Sequence, residues 1–234
     1  MTSISAGYAL RPAKGKDISK VKILVLSLAL ITANSVYAYD DGDFQAWHTE
    51  VQEIKMSKEF KLAFEEEFRW GDNANDFYYH HYDAAFIYGV NKYLDVGLGY
   101  RQIYEKKKGE FKEENQPNIN AAVKWEFLGY KLEDRSRLEY RHYDYQTDFW
   151  QYRNKFTMKL PWKFTKIEIQ PYLADEIFLS FDGTAFTRNR FFSGLGFNLT
   201  KNLKAEIYYL LQASKSAHKW TDANVLGTKI KLLF

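Results

Sequence analysis

The chain has 234 residues, no cysteine, a hydrophobic fraction of 46% and a formal net charge of +3. Without cysteine, neither a disulfide framework nor a thiolate metal site is available, and no segment reaches the roughly 18 apolar residues of a spanning helix. Tyr, Phe and Trp make up 18% of the chain, a ring density that suits strands and the aromatic girdles of membrane interfaces.

Residues 1–38 have the layout of a secretory signal peptide. Lys14, Lys16, Lys20 and Lys22 form a basic stretch, Ile23 to Ala33 an apolar run, and Val36-Tyr37-Ala38 places small residues where a signal peptidase reads. Cleavage is expected after Ala38. It would remove five basic residues and one acidic residue, leaving 28 basic against 29 acidic and a formal charge of −1. Net basicity therefore gives no ground for a nucleic-acid partner.

From Phe44 onward the chain alternates between apolar and polar residues, as a strand with two unlike faces does. Phe44–Ile54 does so weakly, with Trp47, Thr49 and Val51 on one face. In Lys58–Trp70, Phe60, Leu62, Phe64, Phe68 and Trp70 oppose Lys61, Glu65, Glu67 and Arg69. Glu66 interrupts the apolar face and is expected at a bulge or near a rim. A turn cluster at Asp72–Asp76 leads to Phe77–Val90, where His81 and Asp83 share the polar face. Beyond the tight Asn91-Lys92 connection comes a strand from Leu94 to Tyr104, then Lys106–Gln116, read as the longest polar loop. Further strands end near Phe127 and Asp144, and others span Trp150–Leu160, Ile167–Leu179, Phe186–Leu199 and Leu203–Ala213. Ser214–Asp222 reads as a second long loop. In the last segment Leu226, Thr228, Ile230, Leu232 and Phe234 lie opposite Val225, Gly227, Lys229 and Lys231.

Long alternating strands, rings near their ends, and connections that read as alternately short and long predict a single all-β domain over residues 39–234. The architecture expected is a closed antiparallel up-and-down transmembrane β-barrel. Ten strands are counted from Lys58 onward. Phe44–Ile54 would be an eleventh, against the even-numbered habit of bacterial barrels, so ten strands are expected, or twelve. Alternation alone would also fit a lipocalin-like barrel with its apolar face inward. Strand length and ring placement favour the bacterial outer membrane, with lipid as one partner. The barrel-insertion machinery would be another, reading the last strand up to Phe234.

The polar faces carry the candidate chemistry. Arg135, Arg137 and Arg141 share one face of a strand, Arg153, Lys155 and Lys159 the same face of the next, and Arg188 and Arg190 follow on a later one. Glu65, Glu67, Glu139, Glu168 and Glu176 are expected to face the same lumen. One reading is an Arg–Glu ladder that fills and rigidifies the interior, since a charge in a narrow lumen needs a partner. The other is a basic track for small anions, with phosphate and carboxylate as its natural ligands. Only Glu139 falls directly among the cations of the two adjacent strands, so they are expected to form one patch. His80 and His81 point to opposite faces and cannot share a metal. His81 and Asp83 could orient an imidazole, but no motif ties a serine or a second carboxylate to them. No metal spacing and no glycine-rich phosphate loop is present, so neither a cofactor nor an enzyme is expected.

Four stretches carry a resemblance: Arg135-Ser-Arg-Leu-Glu-Tyr-Arg141, Tyr152-Arg-Asn-Lys-Phe156, Gln170-Pro-Tyr-Leu-Ala-Asp-Glu176 and Arg188-Asn-Arg-Phe-Phe-Ser-Gly-Leu-Gly196. In this order and spacing the chain, from Asp43 to Phe234, resembles a family of small bacterial outer-membrane barrels known as a domain of unknown function. It is more distantly similar to narrow porins for acidic oligosaccharides. The resemblance implies a barrel and a location, and it brings no activity. Three functions remain open: a narrow channel for anionic solutes, a structural or interaction barrel with a plugged lumen, and a membrane-embedded hydrolase or acyltransferase.

Overall fold

The alternating segments form eleven strands in a computed structural model, which describes residues 41–183, 185–216 and 219–234. The cleavage site expected after Ala38 lies outside the described residues. In chain order the strands are β1 (Asp43–Lys55), β2 (Phe60–Gly71), β3 (Asp76–Gly89), β4 (Leu94–Lys107), β5 (Glu110–Phe127) and β6 (Tyr130–Tyr143). They continue with β7 (Phe149–Lys159), β8 (Gln170–Ser180), β9 (Ala185–Asn198), β10 (Leu203–Ser216) and β11 (Lys219–Leu233). Each pairs antiparallel with its neighbour in sequence, and β1 closes the ring by pairing parallel with β11. The ten strands counted from Lys58 stand as β2–β11, and Phe44–Ile54 is the eleventh. An all-antiparallel ring must hold an even number of strands. One parallel seam lifts that requirement.

The two faces of the wall are chemically opposite. Outward-pointing Leu98, Ile119 and Leu226 are 63%, 53% and 46% exposed, whereas inward Glu139, His81 and Glu176 are 1–2% exposed. A water-soluble barrel has the reverse arrangement. Inside, Trp47, Tyr172, Phe192, Tyr208, Leu210 and Val225 form an apolar cluster along β8–β11 and β1. Glycine is required there. The Tyr208 ring lies flat on the backbone of its register partner Gly227, where an added Cβ would stand 2.1 Å from the ring.

Three expectations change. Lys106–Gln116 is not a loop: β4 and β5 run through it to a two-residue turn at Lys108-Gly109, both with positive φ (53° and 89°), as a type I′ hairpin requires. In register its polar residues become opposite-charge pairs, Glu105 against Lys112 and Lys107 against Glu110, which stabilise a ladder. Ser214–Asp222 likewise belongs largely to β10 and β11. Connections therefore do not alternate in length. They hold two to five residues throughout except for 160–169, on the rim that carries Phe234, and the opposite rim is raised by projecting hairpins. Glu66, finally, sits at neither a bulge nor a rim. It is seventh of the twelve residues of β2, opposite Glu50 on β1 and Tyr82 on β3, and the ladder slips at Arg69/Trp70 instead.

Candidate functional site

Strand parity turns the basic residues of β6, β7 and β9 into the lumen. Register sets Arg135 opposite Lys155 and Arg137 opposite Arg153. Side chains of like charge directly opposite repel, so their partners must come from other strands. Glu176 of β8 supplies most of them: it accepts from Arg153 at 2.8 Å and lies 3.6 Å from Arg190 and 3.8 Å from Arg135. Glu139 accepts from Arg153 at 2.9 Å and lies 3.7 Å from Arg137. Arg141 grips Glu114 with two bonds of 2.6 and 2.8 Å. These side chains form a paired belt rather than one exposed patch, because acids on β5 and β8 reach in from beside the two strands.

The belt continues through polar-face residues whose partners alternation alone did not give. Asp83 was a candidate orienter of His81; it instead accepts from Arg101 at 2.8 Å and Arg137 at 3.5 Å. Arg101 also reaches Glu65 at 3.1 Å, and Glu65 lies 3.3 Å from Lys229 across β1. His81 is buried between the Tyr79 hydroxyl at 3.1 Å and Glu65 at 3.3 Å. Glu67 serves Arg69 and accepts from the Thr49 hydroxyl, so it does not compensate the β6–β7 cations. Arg69 was legible as a polar-face residue, and Arg101 takes the lumen side of the Leu94–Tyr104 strand by the same alternation. Their roles depend on which strands adjoin, and Glu114 was hidden in the expected loop.

Aromatic rings pack among these charges and form with them a plug of side chains in the lumen. The Arg69 guanidinium is held between the rings of Trp47 and Tyr79, 3.8 Å from each centroid. Arg190 lies 4.9 Å from the rings of both Trp47 and Phe178, and Arg153 stacks on Phe178 at 4.6 Å. A cation over a ring face is attracted by the ring quadrupole, so bulky rings and charges pack across the lumen without mutual exclusion. Arg188, also over Phe178 at 5.3 Å, keeps a buried Nε with no hydrogen-bond partner.

Below this plug, toward the rim of Phe234, the lumen widens into a cavity of about 660 Å³. Its lining ends at Trp47, Arg69 and Arg190, while Tyr79, Glu114, Arg141 and Phe178 lie beyond it. Thirteen lysines and arginines line it against six glutamates, so the cavity is basic although the described barrel is not. Arg135, Arg153, Lys155 and Arg190 reach it; Arg137, Arg141 and Arg188 do not. Lys155 places its ammonium 3.7 Å from the Phe192 ring centroid; Glu176 is its register partner across β7–β8, but among the described residues no carboxylate lies within ion-pair distance of it. Glu168, expected in the lumen, lies in the 160–169 connection. There Lys163 at 2.8 Å and the Asn198 amide at 2.6 Å hold its carboxyl below the usual range. No group of three or more His, Asp or Glu suited to a metal occurs among the described residues.

Comparison with known families gives a match over residues 44–223 to the family described as Protein of unknown function (DUF2490). No curated protein matches the chain.

Proposed function

The chain belongs to the DUF2490 family, and on that premise we propose that it is an outer-membrane barrel that holds small anionic solutes in a one-ended basic vestibule. The location rests on the apolar outer wall and on ring closure, which pairs backbone groups between strands as hydrocarbon demands. In this reading the last strand, ending at Phe234, is what the insertion machinery engages, and the rim of Phe234 faces the periplasm. The vestibule reading is carried by one observation: a cavity with thirteen cations and six acids in its wall. Excess positive charge inside low-dielectric walls concentrates anions and repels cations.

The plug of Trp47, Arg69, Tyr79 and Phe178 favours holding solute over free passage, so the resting barrel conducts little. Catalysis is not assigned: Asp83 serves two arginines rather than His81. The test is calorimetry with orthophosphate on the refolded barrel in zwitterionic detergent, alongside conductance in planar bilayers. Saturable binding is expected, weakened about tenfold, or ~1.4 kcal/mol, by Arg135→Gln combined with Lys155→Gln. Conductance should rise when Arg69→Ala opens the plug. Absence of saturable binding, or equal affinity for a cation, would remove the vestibule function.

A further inference from the structure

At the mouth of the vestibule the register sets lysine against lysine in two pairs that line the cavity. A third pair on this rim, Lys55 opposite Lys61, does not line it, and Lys61 has counter-charges in Glu53 and Asp95. Lys131 is opposite Lys159 across β6–β7, and Lys204 is opposite Lys231 across β10–β11. All four line the cavity. Lysines directly opposite one another destabilise a sheet, and this chain avoids the arrangement at its other rim, where Glu105 meets Lys112 and Lys107 meets Glu110. Lys231 has a counter-charge in Glu53 at 2.6 Å. Among the described residues no carboxylate lies within ion-pair distance of Lys131, Lys159 or Lys204, although Glu126, Glu133 and Glu206 line the same cavity.

The two lysine pairs are separated by β8 and β9. From β7 to β10 is three strand spacings, roughly 14 Å along the wall. Between them inward Gly196 of β9 presents no side chain to the lumen, and an added Cβ there would meet nothing closer than 3.7 Å. A ligand with several linked charges can engage more of these four ammoniums at once than one small anion can. An ammonium on a flexible stem with three donors suits a ligand with several charged groups better than the fixed fork of arginine does.

We propose that Lys131, Lys159, Lys204 and Lys231 form a receiving site for a soluble multivalent anion, one with two or more linked phosphate or carboxylate groups. The proposal rests on the vestibule reading above and narrows its ligand class. Because the four side chains point into the lumen, the ligand comes from solution and not from the bilayer.

Calorimetry on the full refolded barrel with tripolyphosphate and orthophosphate tests it. Tripolyphosphate is expected to bind at least about tenfold more tightly. Lys131→Gln with Lys204→Gln should bring the two probes within about twofold, weakening tripolyphosphate far more than orthophosphate, whose binding centres deeper at Arg135 and Lys155. Lys131→Arg with Lys204→Arg, which keeps the charge, should retain the preference. Equal binding of the two probes, or a preference that survives the glutamine variants, overturns the receiving site while the vestibule stands. Failure of both probes to bind overturns both.

Discussion

Asp148, at the end of the β6–β7 connection, accepts from His142 Nδ1 at 2.7 Å, from the Tyr143 amide at 2.9 Å and from the Tyr140 hydroxyl at 2.9 Å. The bond from His142, then that from Tyr143, holds its pKa down to about 2, against an ordinary 3.8. A carboxyl whose pKa is depressed on folding contributes stability that is present above the unfolded value and is lost as pH falls through the folded one. The loop clamp should therefore be intact above about pH 4 and release toward pH 2. The Tyr143 amide shift, followed by NMR through an acid titration, should have its midpoint near 2; a midpoint near 4 would dissolve the clamp. At this scale the sequence was informative about direction and uninformative about partners. The inward parity of Arg153, Glu139 and Glu176 was readable because side chains alternate. That Glu176 would meet Arg153 and Arg190, and that Asp83 would leave His81 for Arg101, depends on how far strands slide past each other, and no local pattern encodes that.

Among the elements, β2 presents the sharpest conflict with its surroundings. Its outer face carries Phe64 and Phe68 on either side of Glu66, and Glu66 is opposite Glu50 on β1, half-way along both strands. His48 bridges Glu50 to Thr228, at 3.2 and 2.8 Å, but among the described residues no side-chain bond reaches Glu66. A carboxylate facing hydrocarbon is unfavourable, and one opposite another carboxylate more so. Glu66→Leu should then stabilise the barrel in lipid vesicles by ~1 kcal/mol, seen as a higher urea midpoint with unchanged slope. A lower midpoint would show that this stretch of outer wall does not face lipid. Elements whose alternation was strong were legible to within a few residues. The β4–β5 hairpin was misread because Lys and Glu in alternation look like a solvated loop until register pairs them, and its Lys108-Gly109 turn lacks the Asn-Gly or Asp-Gly dipeptide that usually announces one.

For the whole molecule the decisive element is β1. Asp43, 2% exposed, accepts from the backbone amides of Asp72 and Asn73 at 3.3 and 3.2 Å, within a turn whose residues 72–74 all have positive φ. At the other end the Lys55 and Phe234 amides donate to Phe234 and Glu53 carbonyls, each at 2.9 Å. Between these anchors β1 delivers Trp47 and Thr49 to the plug. A ring of β2–β11 alone would lack the ring on which Arg69 and Arg190 stack, so closure and plugging have one origin. Counting strands from the sequence could not reveal this, since the even-number rule presumes an antiparallel seam. The parallel seam is testable because the chain has no native cysteine. Ala46 and Leu226 are register partners, so their Cα atoms lie about 4.8 Å apart, within disulfide range. Ala46→Cys with Leu226→Cys should oxidise to a form that changes mobility on a non-reducing gel. Ala46→Cys with Thr228→Cys, two residues further along and roughly 8 Å apart, exceeds the span a disulfide bridges and should not. Crosslinking of the second pair in preference to the first would move the register, and crosslinking of neither would return β1 to a strand outside the ring, leaving ten to close it.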